Sequence, residues 1–409
     1  MIRYDKHIQI ALSSFLAAIM LGLMLRYTAV ENLNFVYKYV VHTHSHIAMS
    51  GWVYLALITI ITKLYLNNSI PKKTYRFIFG ITLVSIVGML ASFPFQGYAL
   101  ISIIFSTLYL IASYFYAWAF FKYTPKEIKS TNSYKLIKYA VIYLIISSIG
   151  PWGIGAVMGT LGSSSPLYHS TIYLYLHYQY NAWMLLGVIG IVVKLLEDNH
   201  IEIDKNLFRK FLISFNIGVN ITYLLSILFV EPPSIIYILA IVGAAIQIGS
   251  FVYLYHTLRD GIKKAYQFID KRIIIVLKWG FVLASIKLFM QLIGAFPDIA
   301  ALIVKNKFLT IGFIHWVFLG VITMPLLVLL KHFKFIYLSK KYLIAYVLGF
   351  SLTEILIFYK PASVIFGLYV IPFQIFNVSL FLASLLLVGS ITVILFSQFF
   401  KKDYSSRLD

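Results

Sequence analysis

Apolar residues run along this chain in long stretches, and charged residues are mostly confined to the short segments between them. A membrane-spanning helix needs about 20 consecutive, predominantly apolar residues, which matches the length of these stretches. The pattern therefore predicts twelve spans joined by short connections, with no soluble domain. The predicted spans cover residues 8–27, 36–66, 75–94, 97–121, 136–161, 168–196, 207–230, 234–258, 272–296, 308–331, 341–359 and 373–399.

Composition supports the same fold class. The chain has 409 residues, of which 61% are hydrophobic and only 12% charged, whereas about 25% of the residues in a soluble domain are charged. We therefore expect an all-α polytopic membrane protein in which residues 1–409 form one integral domain. The lack of cysteine excludes disulfides, iron–sulfur clusters and thiolate ligands. Any metal or cofactor must then be held by His, Met, Tyr or carboxylate side chains.

The formal net charge of +20 would suggest nucleic acid as a partner in a soluble protein, but here membrane orientation explains it. With a cytoplasmic N-terminus, 27 of the 34 Lys and Arg residues fall in cytoplasmic segments and 5 in outer connections. The other two, Lys278 and Lys287, lie within span nine. This asymmetry predicts a multi-pass protein of the cell inner (cytoplasmic) membrane, with both termini inside and lipid around it.

Span two carries three histidines near its outer end, in the sequence VVHTHSHIAMSGWVYLALITIITKLYL (residues 40–66). Because each residue of a helix advances by roughly 100°, His42 and His46 share one face and His44 points away from it. Ionisable residues within a membrane helix usually face a partner, a cavity or a cofactor. The alternative for His42 and His44 is a position in the hydrated headgroup layer, whereas His46 lies deeper.

Two other spans carry a histidine at a similar distance from the outer face, His177 in span six and His315 in span ten. At about 1.5 Å per residue, His46, His177 and His315 are expected about 10–15 Å below the outer surface. Imidazole is a good ligand for iron, copper and zinc, so the shared depth predicts a haem or metal site. For His177 taken singly, a hydrogen bond between packed helices is the alternative.

Twelve spans, with histidines near the outer ends of spans two, six and ten, resemble the catalytic subunit of the haem-copper oxidases. The segments HSHIAMSGWVYLALITIITKLYL, YLHYQYNAWMLLGVIGIV and FIHWVFLGVITMPLLVLL resemble that family's second, sixth and tenth helices. The resemblance implies a low-spin, b-type haem with His44 or His46 and His315 as axial ligands. It also implies a copper ligand at His177 and a respiratory-chain partner such as a small c-type cytochrome.

Lys287 in span nine lies in the same layer as the histidines and is expected to neutralise a haem propionate. Lys360, in the connection after span eleven, occupies the region where the family keeps arginines against the propionates. Snorkelling toward the surface is the alternative for Lys287. Glu354 in span eleven is expected either to pair with Lys287 or to carry protons, and pairing is the simpler expectation.

The chain departs from the family's pattern at the copper site. The family's sixth helix carries His-Pro-Glu-Val-Tyr, whereas here His177 is followed by Tyr-Gln-Tyr-Asn. Span seven lacks the family's adjacent histidines, and span ten offers His315 alone. We therefore expect a haem-binding redox protein, an oxidoreductase of this type in electron transfer or gas and redox sensing, without full oxygen reduction.

Membrane proteins of the nitric-oxide response, which carry His-x-His before Gly and an aromatic residue in an early span, are an equally loose relative. Two other functions stay open. One is copper or haem handling or transport, with His42, His44 and His46 as an outer-facing metal-capture site. The other is a non-catalytic assembly partner of a respiratory complex, in which the histidines are remnants.

Overall fold

In the computed structural model, residues 2–31 and 33–400 are described, and their regular structure is helical, without a strand. Within these two ranges, twelve helices are long and apolar enough to cross a membrane, as the apolar pattern predicts. Residues 401–409, which the charge count assigns to the cytoplasm, lie outside the described residues. The spans, numbered one to twelve in chain order, are Tyr4–Tyr27, Tyr37–Leu66, Lys72–Gln96, Leu100–Tyr123, Asn132–Thr160, Pro166–Asp198, Lys205–Val230, Ser234–Ala265, Lys271–Ile293, Lys307–His332, Lys340–Ile365 and Phe373–Phe400.

Side-chain caps define where several helices begin. Four polar residues each precede a span, and the side chain of each accepts a hydrogen bond from a backbone N–H in the first turn of that span. They are Thr131, Asp204, Asp270 and Ser339. Such caps satisfy donors that have no partner within the helix. Span eight ends at Ala265 instead of residue 258, because exposed charged residues continue the helix beyond its apolar stretch.

Span eleven also runs further than predicted, to Ile365 instead of residue 359. Pro361 lies inside this helix and is buried, a position that membrane helices tolerate when neighbouring groups compensate for the missing N–H. The prediction that Lys360 belongs to an outer connection is therefore wrong. Lys360 lies within the helix, and its Nζ is 5.0 Å from the centre of the Phe376 ring.

The chain divides into two compact units. The first consists of Met1–Pro125 and Leu326–Asp409 and the second of Lys126–Pro325, so span ten contributes to both. Within the first unit, span one packs against spans two and twelve, span three against four, and span eleven against twelve. Within the second unit, the packed pairs are five with six, seven with eight, eight with nine, and nine with ten. The single domain over residues 1–409 stays a prediction.

Spans two, six and ten are the most buried of the twelve. In an apolar 18-residue window, 83%, 94% and 78% of their residues are buried, against 28–50% in the other nine spans. A helix that is hydrophobic all round belongs in the interior of a large protein. These are the spans that carry His46, His177 and His315, so each candidate histidine belongs to an interior helix.

The same three spans depart from α-helical geometry. π-helical turns are rare and occur frequently at functional sites. In span two the first π-helical segment begins directly after His46, and in span ten it begins directly after His315. In span six the π-helical segment begins two residues after His177. Over residues 2–31 and 33–400, all π-helical segments lie in these spans: Ile47–Tyr54, Thr62–Leu66, Gln179–Trp183 and Trp316–Thr323.

Span ten contains Pro325, whose ring would clash with the preceding turn of a regular α-helix. The π-helical segment ends at Thr323, two residues before the proline, and local π-helical adjustment is one way in which membrane helices accommodate proline. Span nine packs on this ring through Gly280, where a Cβ atom would come within 2.5 Å of Pro325 Cγ. The close approach of spans nine and ten at this point therefore requires glycine.

Candidate functional site

His44 faces span one. Its Nδ1 lies 2.7 Å from the carbonyl oxygen of Ala18, and because a carbonyl only accepts hydrogen bonds, Nδ1 carries the proton. Nε2 is then the unprotonated nitrogen of the neutral ring. The ring packs against Gly22, where a Cβ atom would come within 3.0 Å of Cε1. A backbone carbonyl that fixes one nitrogen is how ligand histidines are oriented toward metals through the other.

His42 and His46 lie on a different face, as the helical spacing predicts, and both contact Tyr98. His46 Nε2 is 2.7 Å from Tyr98 Oη, and the His46 ring stacks on Phe93 at 4.7 Å. The His42 ring meets Tyr98 edge-on at 4.7 Å, and its Nε2 is buried without a hydrogen-bond partner among the described residues. The structure therefore brings His42 and His46 together and separates His44 from them.

A tight turn places Tyr98 beside span two. Residues 97–99 join spans three and four, and Gly97 has a positive φ of 59°. A Cβ atom at Gly97 would also come within 2.4 Å of the Tyr39 ring. Backbone conformation and close packing both require glycine here. The Ser102 hydroxyl donates to the Gly97 carbonyl and holds the turn closed.

One basic residue near His44, Arg26, is not among the sequence-based candidates. Arg26, in the last turn of span one, interacts electrostatically with His44 and with Glu354 of span eleven. Glu354 is only 3% exposed, and Arg26 is a basic side chain of the first unit that acts on it electrostatically. The sequence hints at this role only through the position of Arg26 at the end of an apolar stretch, and the charge count assigns that arginine to a connection. The pairing of Glu354 with Lys287 involves both units and stays a prediction.

Both ring nitrogens of His177 are hydrogen-bonded. Nε2 lies 2.8 Å from the carbonyl oxygen of Val219 in span seven, so Nε2 carries the proton. Nδ1 accepts from the side-chain amide of Asn181 at 3.1 Å. This geometry matches the alternative role for His177, a hydrogen bond between packed helices, here spans six and seven. A copper ion would have to displace Asn181 to reach Nδ1, and the copper ligand at His177 stays a prediction.

The second unit contains two further candidates, Lys287 and His315. Lys287 is 1% exposed, which excludes snorkelling, and it interacts electrostatically with His177. His315 is half-buried and ends the α-helical segment that precedes the π-helical turn. Its pairing with a span-two histidine across a haem involves both units and stays a prediction. The same holds for the propionate contacts of Lys287 and Lys360.

Comparison with models of known protein families finds no match to the chain, and no curated protein matches it. Within residues 2–31 and 33–400, no group of three or more His, Asp or Glu side chains could hold a metal ion. Function must therefore be inferred from single histidines, from their hydrogen bonds and from the interior helices that carry them.

Proposed function

We propose that this chain is a haem-binding redox protein of the cell inner membrane and that His44 is an axial ligand of the haem. The observation that carries the proposal is the hydrogen bond from His44 Nδ1 to the Ala18 carbonyl. It fixes the tautomer in which Nε2 keeps its lone pair, the form that binds iron. Gly22 gives the ring its space beside span one. The imidazole is therefore oriented before any ligand binds.

Two further features support the proposal. Three interior spans each begin a π-helical turn at or just after a candidate histidine, and such turns are frequent at functional sites. Arg26 is a cation close to His44 and suits a carboxylate, of which haem carries two. Haem iron carries single electrons and binds small gases. The proposed activity is accordingly electron transfer, or gas and redox sensing.

The remaining parts of the proposal come from the resemblance to the haem-copper oxidases. It implies His315 as the second axial ligand and a respiratory-chain partner such as a small c-type cytochrome. It leaves the span-two ligand open between His44 and His46. We choose His44 because the Ala18 carbonyl can only accept and so fixes the His44 tautomer, whereas the Tyr98 hydroxyl can donate to or accept from His46 Nε2.

Visible spectroscopy of the purified protein tests this function. Wild type should show a Soret band and, after reduction, the sharp α and β bands of a six-coordinate low-spin haem. His44→Ala and His315→Ala should each lose these bands, because each removes an axial ligand. His46→Ala should retain them.

His169→Ala is the matched control, because His169 is an exposed histidine outside the candidate set and its loss should leave the spectrum unchanged. Purified wild type without haem would contradict the proposal. An unchanged spectrum in His44→Ala would instead reject His44 as the ligand.

A second candidate function, metal capture, is favoured by the pair of histidines at Tyr98. His42 and His46 contact the same phenol ring, and His42 Nε2 is buried without a hydrogen-bond partner among the described residues. Imidazole nitrogens and a phenol oxygen suit copper(II). Copper bound without haem, lost in His42→Ala and kept in His44→Ala, would favour capture over redox chemistry.

A further inference from the structure

A groove of about 400 Å³ runs along the exposed face of span four. Its lining is almost entirely apolar, and three of its four lining residues are aromatic. These residues are Ile111, Tyr114, Phe115 and Trp118. At 1.5 Å per residue, the groove extends over about 10 Å of the helix. One leaflet of a bilayer has a hydrocarbon layer of about 15 Å, so a single acyl chain can follow the groove along its whole length.

Span three packs beside this groove. The Phe77 ring meets the Phe115 ring edge-on, with 5.7 Å between the ring centroids. Further along, a Cβ atom at Gly88 would come within 2.2 Å of the Phe105 ring, so the two spans approach each other closely. Because the short turn of residues 97–99 joins them, they run antiparallel. The start of span three and the end of span four therefore lie on the same side of the membrane.

Basic side chains cluster on this side of the membrane, which the charge count assigns to the cytoplasm. Four of them are exposed on spans three and four: Lys72, Lys73, Arg76 and Lys122. Lys122 Nζ lies 4.6 Å from the centre of the Trp118 ring, which places a cation at the end of the groove. Arg76 directly precedes Phe77, the residue of span three that packs on the groove. The cations and the groove therefore form one continuous surface.

Within the described part of the first unit, no carboxylate neutralises this cluster. Asp5 pairs with a neighbouring arginine at 3.1 Å, Glu31 follows span one on the opposite side of the membrane, and Glu354 is buried in span eleven. Glu127 follows span four in a connection that also holds two lysines. The ion pairs among the described residues involve none of the four basic side chains. The cluster therefore keeps a net positive charge that an anionic ligand can neutralise.

We infer that the groove and the basic cluster bind one anionic phospholipid, with an acyl chain along the groove and the phosphate at the cations. Groups of four or more basic residues at the end of membrane helices are typical of anionic-lipid binding. Arg76 can hold the phosphate through two parallel hydrogen bonds, and the lysines add charge. A free phosphate ion would leave the groove unused, and a zwitterionic lipid would not match the charge. The site does not depend on haem, because it rests on spans three and four alone.

Quenching of tryptophan fluorescence tests the site, because Trp118 lines the groove. The full-length protein in detergent is titrated with phosphatidylglycerol or phosphatidylcholine whose acyl chains carry bromine, which quenches tryptophan on contact. Phosphatidylglycerol should quench saturably and at a lower concentration than phosphatidylcholine. Trp118→Phe should lose this lipid-selective quenching. Trp152→Phe is the matched control and should keep it, because Trp152 is also exposed but lies in a part of span five without basic residues.

Charge variants test the phosphate end of the site. Arg76→Gln and Lys122→Gln should each raise the half-saturating concentration of phosphatidylglycerol about fivefold, since each removes one basic residue near the headgroup. Lys278→Gln removes an exposed lysine from another span and should leave that concentration unchanged.

Three results overturn the inference. The first is equal quenching of Trp118 by the two lipids, or unchanged affinity in both charge variants. The second is displacement of the brominated lipid by inorganic phosphate at constant ionic strength, which would identify a free anion as the ligand. The third is a wild-type protein that elutes as a dimer and resists quenching at Trp118, since a second copy would then cover this face.

Discussion

Gly22 gives the His44 ring its space, because a side chain there would press on the imidazole. A Cβ atom would lie 3.0 Å from His44 Cε1 and 3.2 Å from Nδ1. Gly22→Val should push the ring away from Ala18 and lower the free energy of unfolding by about 1–3 kcal/mol through overpacking. If the haem proposal holds, the variant should also lose the low-spin bands in its visible spectrum.

Gly80→Val is the matched control for this change. Gly80 also lies inside a span, but a Cβ atom there would have nothing within 4 Å. The control should keep both the stability and the spectrum of wild type. Wild-type stability and bands in Gly22→Val would show that span one does not fix the His44 ring.

At the scale of single residues, the sequence predicts faces but not partners. Helical spacing alone groups His42 with His46 and sets His44 apart, because residues four apart share a face. The groups that contact these rings belong to other segments, Ala18 in span one and Tyr98 in the turn after span three. No pattern within span two identifies them. The proposal of His44 instead of His46 therefore rests on contacts that the sequence does not show.

Among the elements, span seven changes from an α-helix, Lys205–Ile221, to a 3₁₀-helix, Thr222–Val230. At this junction the Val219 carbonyl accepts hydrogen bonds from His177 Nε2 at 2.8 Å and from the Thr222 hydroxyl at 3.2 Å. Losing the first bond in a membrane protein costs about 1–2 kcal/mol. His177→Leu should lower the free energy of unfolding by that amount. The loss should not be larger, because the Val219 carbonyl still accepts a hydrogen bond from the Thr222 hydroxyl.

His177→Gln is the conservative comparison, because its side-chain amide can also donate to the Val219 carbonyl. It should recover part of the stability that His177→Leu loses, as measured by unfolding in detergent with increasing dodecyl sulfate. If the Leu variant is as stable as wild type, the hydrogen bond does not hold the junction. His177 would then be better explained as a ligand.

The π-helical segments are what the hydropathy pattern misses at this scale. The lengths of apolar runs predict where helices begin and end, because the bilayer sets the length of a span. A π-helical turn has the same apolar composition as an α-helical one, so hydropathy does not distinguish them. The residues that pack against a π-helical turn belong to other helices. In the segment Ile47–Tyr54, for example, a Cβ atom at Gly51 would come within 2.7 Å of Ser14 Cβ in span one.

For the molecule as a whole, the number and order of the spans follow from the sequence because each span must cross the bilayer by itself. All but two of the predicted span ends lie within four residues of the observed ends. Which spans are interior depends on how the helices surround one another, and loop charges carry no information about that. The burial of spans two, six and ten, every fourth span, is the part of the architecture that the structure adds.

Four-electron reduction of oxygen is not expected from this chain. In the family that it resembles, the reaction needs a high-spin haem and a copper held by three imidazoles, one from helix six and two from helix seven. Here span seven has no histidine, and both nitrogens of His177 are hydrogen-bonded. The amide oxygens of Asn216 and Asn220 accept from Tyr143 and Tyr178, and such oxygens suit harder ions than copper.

Purified protein with a strong electron donor should therefore consume oxygen no faster than the donor alone, even when it binds haem. An oxygen electrode measures the rate, and haem and copper analysis of the same sample gives the cofactor content. The His44→Ala protein supplies the background without the proposed haem ligand. Sustained, cyanide-sensitive consumption with copper and two haems per chain would contradict the ligand count. His42 and His46, whose imidazoles meet at Tyr98, would then be the first candidate copper ligands to test by mutation.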